Sequence, residues 1–490
     1  MNESPAQSSD FAAENERNMI GPRGSKLRNW KGTITYHASA LEVAHSVDDI
    51  VRIVQDAERY PSPVRAKGSH HSTTKCIVAQ HGTVIDMSKM NKILDIDTEN
   101  NLITMQAGVL HIDAAQELEK HGLQFFVNVE IGNLTVGSGA CGGTKDASYF
   151  DGENWEYGQV NSYVVGIKSV LPNGEILEVT ENDGELMHAM RSSYGMLGII
   201  FEVTFKVKPI KPMAVKHVKY HIDEFADRLD ELIQAKRSMM LYMFPHIDTI
   251  VVEYRFDGNE PMRSNTWQWR IRNWTWKTGS PLYGKLITTL VPFRSVRSFL
   301  IDNYNRFTVW FLSRVLRGCN TSPTDQIIRY SEIGGFSAYT FSIWAFPKEE
   351  YAHTIKAYYR FCKEYYRKNG YRCDLLNVGY LIAEDRQSLF SYTRRGLALT
   401  LDPVSTGTPG WEAFLTEYNE FCVQHNGTPL FNQSRGITPL QAQQAFGEEI
   451  KRFQTHRKKY DPDGRFYTEY FRKRFEISER GSTFINSATE

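Results

Sequence analysis

The residues best suited to chemistry lie in two small-residue loops. The first is Arg65-Ala66-Lys67-Gly68-Ser69-His70-His71-Ser72, which follows an extended segment at Ser62-Pro63-Val64. Gly68 gives this loop the φ freedom to turn its backbone N–H groups inward as a nest for a diphosphate. A histidine there would lie beside whatever the diphosphate carries. The second is Thr135-Val136-Gly137-Ser138-Gly139-Ala140-Cys141-Gly142-Gly143-Thr144-Lys145-Asp146. Two such loops separated by an α/β segment can grip one large cofactor from two sides. Taken alone, each reads equally well as a tight turn with solvated side chains.

The elements that must hold these loops follow from patterning. Ser46 caps a helix start, Asp48 and Asp49 suit its first turn, and Ile50, Val51, Ile53 and Val54 give it an apolar face. Residues 83–87 and 102–108 read as strands, and 112–121 as a helix ended by Gly122. Asn173-Gly174 is a strong hairpin signal after the strand at 164–171. Residues 185–190 read as a helix, and a glycine-containing connection, 195–200, leads into a strand at 201–207. Lys208-Pro209-Ile210-Lys211-Pro212 marks a boundary. Beyond it, 221–236 reads as one helix, 249–254 as a strand, 339–346 as a strand, 348–369 as a helix, 375–382 as a strand and 411–426 as a helix.

A chain of 490 residues is too long for one ordinary core, so two large domains are expected. Lys+Arg and Asp+Glu both number 57, which leaves no net field to draw in nucleic acid. Six cysteines are scattered without CxxC spacing, so neither a structural metal site nor a disulfide framework is expected, and a reducing, cytoplasmic setting suits them. No signal-like segment opens the chain, and no apolar run is long enough to span a bilayer.

In order, Asn29-Trp30-Lys31-Gly32, Gly68-Ser69-His70-His71-Ser72, Ile85-Asp86-Met87-Ser88-Lys89-Met90-Asn91-Lys92-Ile93-Leu94 and Tyr460-Asp461-Pro462-Asp463-Gly464-Arg465-Phe466 resemble the motifs of the vanillyl-alcohol-oxidase superfamily. Within it they resemble the aldonolactone and alditol oxidase branch. The resemblance implies an α+β fold with a two-subdomain PCMH-type FAD-binding domain and an α/β cap over the flavin. The expected limits are a tail at 1–26, the FAD domain at 27–212 and a cap at 213–428. A C-terminal segment at 429–477 returns to the FAD domain, and a second tail spans 478–490. It also implies hydride transfer from a CH–OH group to flavin N5, with dioxygen or another acceptor reoxidising the cofactor.

FAD is expected to touch Lys67, Gly68, Ser69, His70, His71, Ser72, Val136, Gly137, Ser138, Cys141, Gly142, Gly143, Thr144, Gly195, Gly198 and Ile199. In this branch the loop histidine often carries the flavin covalently, and here that residue is His71, with His70 replacing a glycine. Asn133 and Leu134 stand where doubly attached relatives carry their cysteine. The sugar-handling residues depart from the branch. Gly143-Thr144-Lys145-Asp146 replaces Gly-Thr-His-Gly, Val378-Gly379-Tyr380 replaces a Glu-x-Arg pair, and Leu430 to Arg435 replaces the His-Trp-x-Lys segment. Arg435 is the candidate cation for reduced flavin, against a surface ion pair. Tyr380 is a candidate for the substrate face, against a core tyrosine, and Asn432 for orienting a hydroxyl, against a turn residue.

Residues 262–318 interleave Trp267, Trp269, Trp274 and Trp276 with arginine and lysine. Two readings stand: peripheral contact with a membrane surface, or the core of the cap. With the first goes an alternative activity, a flavin-dependent reductase or epimerase acting on a lipid-linked substrate.

Overall fold

The computed structural model describes residues 24–476 apart from Ser337. The two expected tails lie outside these residues except at the first boundary. There Ser25–Arg28 already forms a strand, antiparallel to Thr35–Ala38, so regular structure begins inside the expected tail.

Three sheets position the site. In the first, Thr83–Asp86 lies between Ala40–Val43 and Val64–Lys67, parallel to both. Helix Val47–Gln55 connects the outer strands, and its start is closed by a capping box in which Ser46 accepts from the Asp49 backbone N–H and Asp49 accepts from that of Ser46. Its apolar stripe of Ile50, Ile53 and Val54 is buried. The loop at Gly68 therefore leaves the carboxyl end of a parallel strand, where α/β sheets usually place their ligands.

The second sheet is six-stranded and antiparallel, with Ile199–Pro209 at its centre. Along that strand Val203, Phe205 and Val207 point into the core, while Glu202, Thr204 and Lys206 are less buried, as a period of two requires. The Asn-Gly turn joins Val164–Val170 to Ile176–Thr180, with Gly174 at φ 86°.

The third sheet has seven antiparallel strands drawn from residues 213–429. Strand Ser238–Phe244 shows how it divides space. Met239, Leu241 and Met243 join the main core together with Tyr351, Ile355 and Tyr358 of helix Lys348–Asn369. Met240 and Tyr242 face the other way, into a cavity.

Two elements differ from expectation. Residues 221–236 form two short helices, Ile222–Asp227 and Leu229–Gln234, because Arg228 leaves helical geometry at φ −99°, ψ 3°. The strand expected at 339–346 is split into Thr340–Phe341 and Trp344–Pro347, which pair with different partners, Val404–Ser405 and Ala398–Leu401. Residues 262–318 are helical: Trp267–Trp274, then a π-helical turn, then a hairpin of Ser280–Leu290 and Arg294–Val315.

The C-terminal segment is fastened to the first sheet. Asp461 accepts from the backbone N–H of Arg465 at 2.6 Å and of Phe466 at 3.0 Å, which closes the 461–466 turn. Arg465 then donates to the carbonyls of Val54 and Ile53 at the end of helix Val47–Gln55, and its own carbonyl accepts from Val64. Hydrogen bonds of this kind satisfy carbonyls that a helix end leaves open.

Candidate active site

The two small-residue loops meet face to face. A Cβ at Gly68 would lie 2.4 Å from Thr135 Oγ1, so glycine is what lets the loops close on each other. With the 194–200 connection and Asn432 they line a cleft. Gly68 through Ser72 line it, as do Gly137, Ser138, Cys141, Gly142, Thr144, Gly195 and Gly198. Four expected contacts do not. Lys67 turns to Asp86. Val136 is buried in the core. Gly143 faces Leu430 and Gln159. Ile199 points inward, so that the next residue on the strand, Ile200, lines the cleft. Sequence reasoning missed Arg65 and Ile200, although Arg65 opens the loop and its alternation with Lys67 was legible.

Three features of the cleft fit FAD. Arg65 is buried and lines it, yet its guanidinium donates only to backbone carbonyls, those of Gly195 at 2.9 Å, Phe466 at 3.1 Å and Tyr194. Its Nε has no partner. Burial lowers its pKa, and a buried cation held this way favours an anion such as a diphosphate. Second, His71 stacks on Trp30, with ring centroids 5.0 Å apart, and its Nε2 is buried without a partner. Burial lowers its pKa to about 4, so the imidazole is neutral at physiological pH. Third, His70 adopts φ 53°, the left-handed region that glycine enters freely, and this is where related loops read glycine.

A second cavity adjoins this cleft, and Thr144 and Gln433 line both. Its walls are mainly apolar and aromatic, including Met240, Trp276, Phe341, Ile343, Leu376 and Leu430. Trp276, Ser280, Pro281 and Asn305 come from the helical insertion. At the junction, next to Thr144, Lys145 Nζ pairs with Asp402 Oδ2 at 2.6 Å, their side chains 4% and 2% exposed. The ammonium also lies 3.8 Å from the Tyr380 ring centroid. Asp402 Oδ1 is buried with no partner. Burial raises Asp402 to about 6 and lowers Lys145, while their mutual attraction opposes both shifts.

The next residue, Asp146, serves a structural end. It accepts both Nη1 contacts of Arg255 at 2.8 Å, and Arg255 Nε is held by Glu253, which also accepts from Tyr242. Of the other candidates, Tyr380 lines the second cavity, and Asn432 lines the cofactor cleft with its Oδ1 unpartnered. Arg435 lines neither cavity. Its Nε pairs with Glu412 at 3.0 Å, a partner 61% exposed, so the structure does not bring it to the flavin cleft. Lys145 and Asp402 were missed as a pair. The available signal was a basic residue at the position where related loops carry histidine.

A cleft of glycine-rich loops holding a buried cation and a neutral histidine, opening into a walled cavity, defines a flavin-dependent oxidoreductase. Residues 38–180 match the FAD binding domain family. The chain is 27% identical to L-gulonolactone oxidase of Bos taurus over 67% of its length and 71% of that protein's. It is 21% identical to L-gulonolactone oxidase of Scyliorhinus torazame over 93% and 99%. Cholesterol oxidase from B. sterolicum shares the fold, with TM-score 0.74 and 14% identity over 97% of this chain and 99% of that one. The family match covers residues 38–180, and the likeness to the curated relatives extends over most of the chain.

Proposed function

We propose that the protein oxidises a CH–OH group on a substrate whose body is largely apolar, with residues 27–212 and 429–477 holding FAD and 213–428 capping it. Bound FAD would supply hydride acceptance. The chain's own contribution is to take the hydroxyl proton and exclude water. The observation that carries this reading is Asp402, whose Oδ1 is an unpartnered buried acceptor on a residue lining the cavity that adjoins the cofactor cleft. In the proposed arrangement Asp402 Oδ1 accepts the substrate O–H, and Lys145 stabilises the negative charge that grows on that oxygen. A base with a pKa near 6 suits proton transfer at neutral pH.

The relatives are oxidases and dehydrogenases, which supports oxidation, and the reductase or epimerase alternative is set aside. Their names specify a sugar lactone, whereas the surface lining this cavity is mostly apolar, with Glu130, Lys145, Ser280, Asn305 and Asp402 among the polar exceptions. Each buried hydroxyl of a sugar left unpaired would cost about 1–3 kcal/mol. An apolar body, lipid-linked ones included, fits the walls better. The test is anaerobic mixing of the flavoprotein with L-gulono-1,4-lactone and with cyclic and aryl alcohols, following loss of flavin absorbance. Bleaching by the apolar alcohols is expected. Bleaching by the lactone alone would overturn the substrate assignment, and oxygen uptake then separates oxidase from dehydrogenase.

The unpartnered Nε2 of neutral His71 further supports His71 as the point where the flavin is covalently attached.

A further inference from the structure

We propose that the outer face of the helical insertion is a docking surface for an anionic lipid bilayer, a peripheral contact that does not depend on which alcohol the enzyme oxidises. Among the described residues no helix is long and apolar enough to cross a membrane. The insertion nevertheless exposes much apolar surface while its inner face lines the cavity.

The exposure is ordered along the hairpin. On Ser280–Leu290 the exposed side chains Leu282, Leu286 and Leu290 recur at every fourth position, forming one stripe. On Arg294–Val315 the exposed residues Val296, Phe299, Arg306, Phe307, Trp310 and Arg314 fall on one face at helical spacing. At the tip, Leu290 and Phe293 are 70% and 71% exposed. Phe336, in the neighbouring loop, is also exposed, and Lys285 Nζ lies 5.8 Å from its ring centroid. Such a surface is larger and more continuous than scattered apolar residues on a soluble protein.

Charge decides what covers it. Residues 262–318 carry ten Lys and Arg against one carboxylate, Asp302, in a chain whose charges balance overall at 57 and 57. Asp302 is spent on Arg372, and of the ten cations Arg272 is buried against Glu130. Arg306 and Arg314 stand on the same face as the exposed apolar side chains of the second helix, and the remaining cations give the insertion as a whole an excess of positive charge. Aromatic and aliphatic side chains flanked by cations match the acyl boundary and phosphate layer of an anionic leaflet. A second copy of this chain fits poorly, because a two-fold contact would set this positive surface against itself. Docked this way, the insertion would hold the roof of the substrate cavity at the lipid surface.

The test is flotation of the FAD-loaded protein with liposomes of phosphatidylcholine alone and of phosphatidylcholine with phosphatidylserine. Wild type is expected to float with the anionic vesicles and to be released by salt. Arg306→Gln/Arg314→Gln should lower the partition coefficient about 25-fold, from roughly 1 kcal/mol per cation. Leu290→Ser/Phe293→Ser should abolish flotation while melting temperature and flavin spectrum stay as in wild type. Wild type remaining at the bottom at low salt would overturn the proposal. So would equal flotation with neutral vesicles, or a tip variant that converts a dimer to a monomer in size-exclusion chromatography.

Discussion

Asp402→Asn tests the proposed chemistry most directly. The side chain keeps its shape, but the group that accepts the hydroxyl proton becomes neutral. General-base catalysis contributes about 10²–10⁴-fold, so substrate-driven reduction of the flavin should slow by that order. The same substitution leaves the Lys145 ammonium without its 2.6 Å partner in a site where both side chains are almost fully buried. Removing one member of such a pair costs about 3–5 kcal/mol, so a lowered melting temperature is expected as well. A slow variant that is also unstable would not separate chemistry from structure. Lys145→Met/Asp402→Leu does separate them, because replacing both charges by apolar groups is often neutral or stabilising. It should melt near wild type and remain slow. Stopped-flow reduction and thermal melts provide both readouts. The pH profile adds a third: kcat/KM should rise as pH passes through about 6, where Asp402 ionises. The sign for stability is opposite. Between the ordinary aspartate range and about 6 the unfolded chain ionises first, so the contribution of Asp402 to stability falls as pH rises. If Asp402→Asn reduces the flavin within a few-fold of wild type, or the double apolar variant regains the rate, the base assignment is wrong.

Other outcomes follow from the cofactor cleft. Acid precipitation of the wild-type protein should leave a yellow pellet, and His71→Ala should lose that colour to the supernatant while still binding FAD before denaturation. Gly68→Ala puts a methyl group 2.4 Å from Thr135 Oγ1, and should lower FAD occupancy, read from the flavin-to-protein absorbance ratio. Arg435→Ala should leave the flavin midpoint potential unchanged, since the guanidinium pairs with Glu412 and lines neither cavity. A fall of about 30 mV, which for a two-electron couple is about 1.4 kcal/mol, would return Arg435 to the flavin.

What was legible in the sequence was local. Gly68 to Ser72 follows a strand, the Ser46 cap precedes an amphipathic run, and Asn173-Gly174 sits between two apolar segments; each is decided by neighbours a few positions away. The π-helical turn and hairpin at 262–318 could be read in two ways because their composition serves two faces. Trp269 and Trp276 pack inward, the second against the cavity, while Trp267, Trp274 and Trp310 remain exposed. A residue count along the chain cannot divide them, since the division depends on which side the third sheet covers.

The catalytic proposal shows the same limit more sharply. Lys145 and Asp402 are 257 positions apart, and nothing around Asp402 in Leu401-Asp402-Pro403-Val404 marks it as more than a strand-end carboxylate. Read in the loop alone, Lys145 is a departure from a histidine-bearing motif and suggests a lost function. Placed in the fold, its charge is retained in the small-residue loop, and the acceptor in contact with it comes from the end of strand Ala398–Leu401 in the third sheet. That acceptor is held by the antiparallel pairing of Asn377–Ile382 with Ala398–Leu401 and by mutual backbone hydrogen bonds between Val378 and Asp402, at 3.0 and 2.8 Å. The third sheet therefore does more than line the second cavity. Its register sets where Asp402 Oδ1 points, so a one-residue slip between these strands would move the carboxylate to the other face. In the proposed reading, the strand pairing of the third sheet, rather than the loop motif, fixes where the proton acceptor lies.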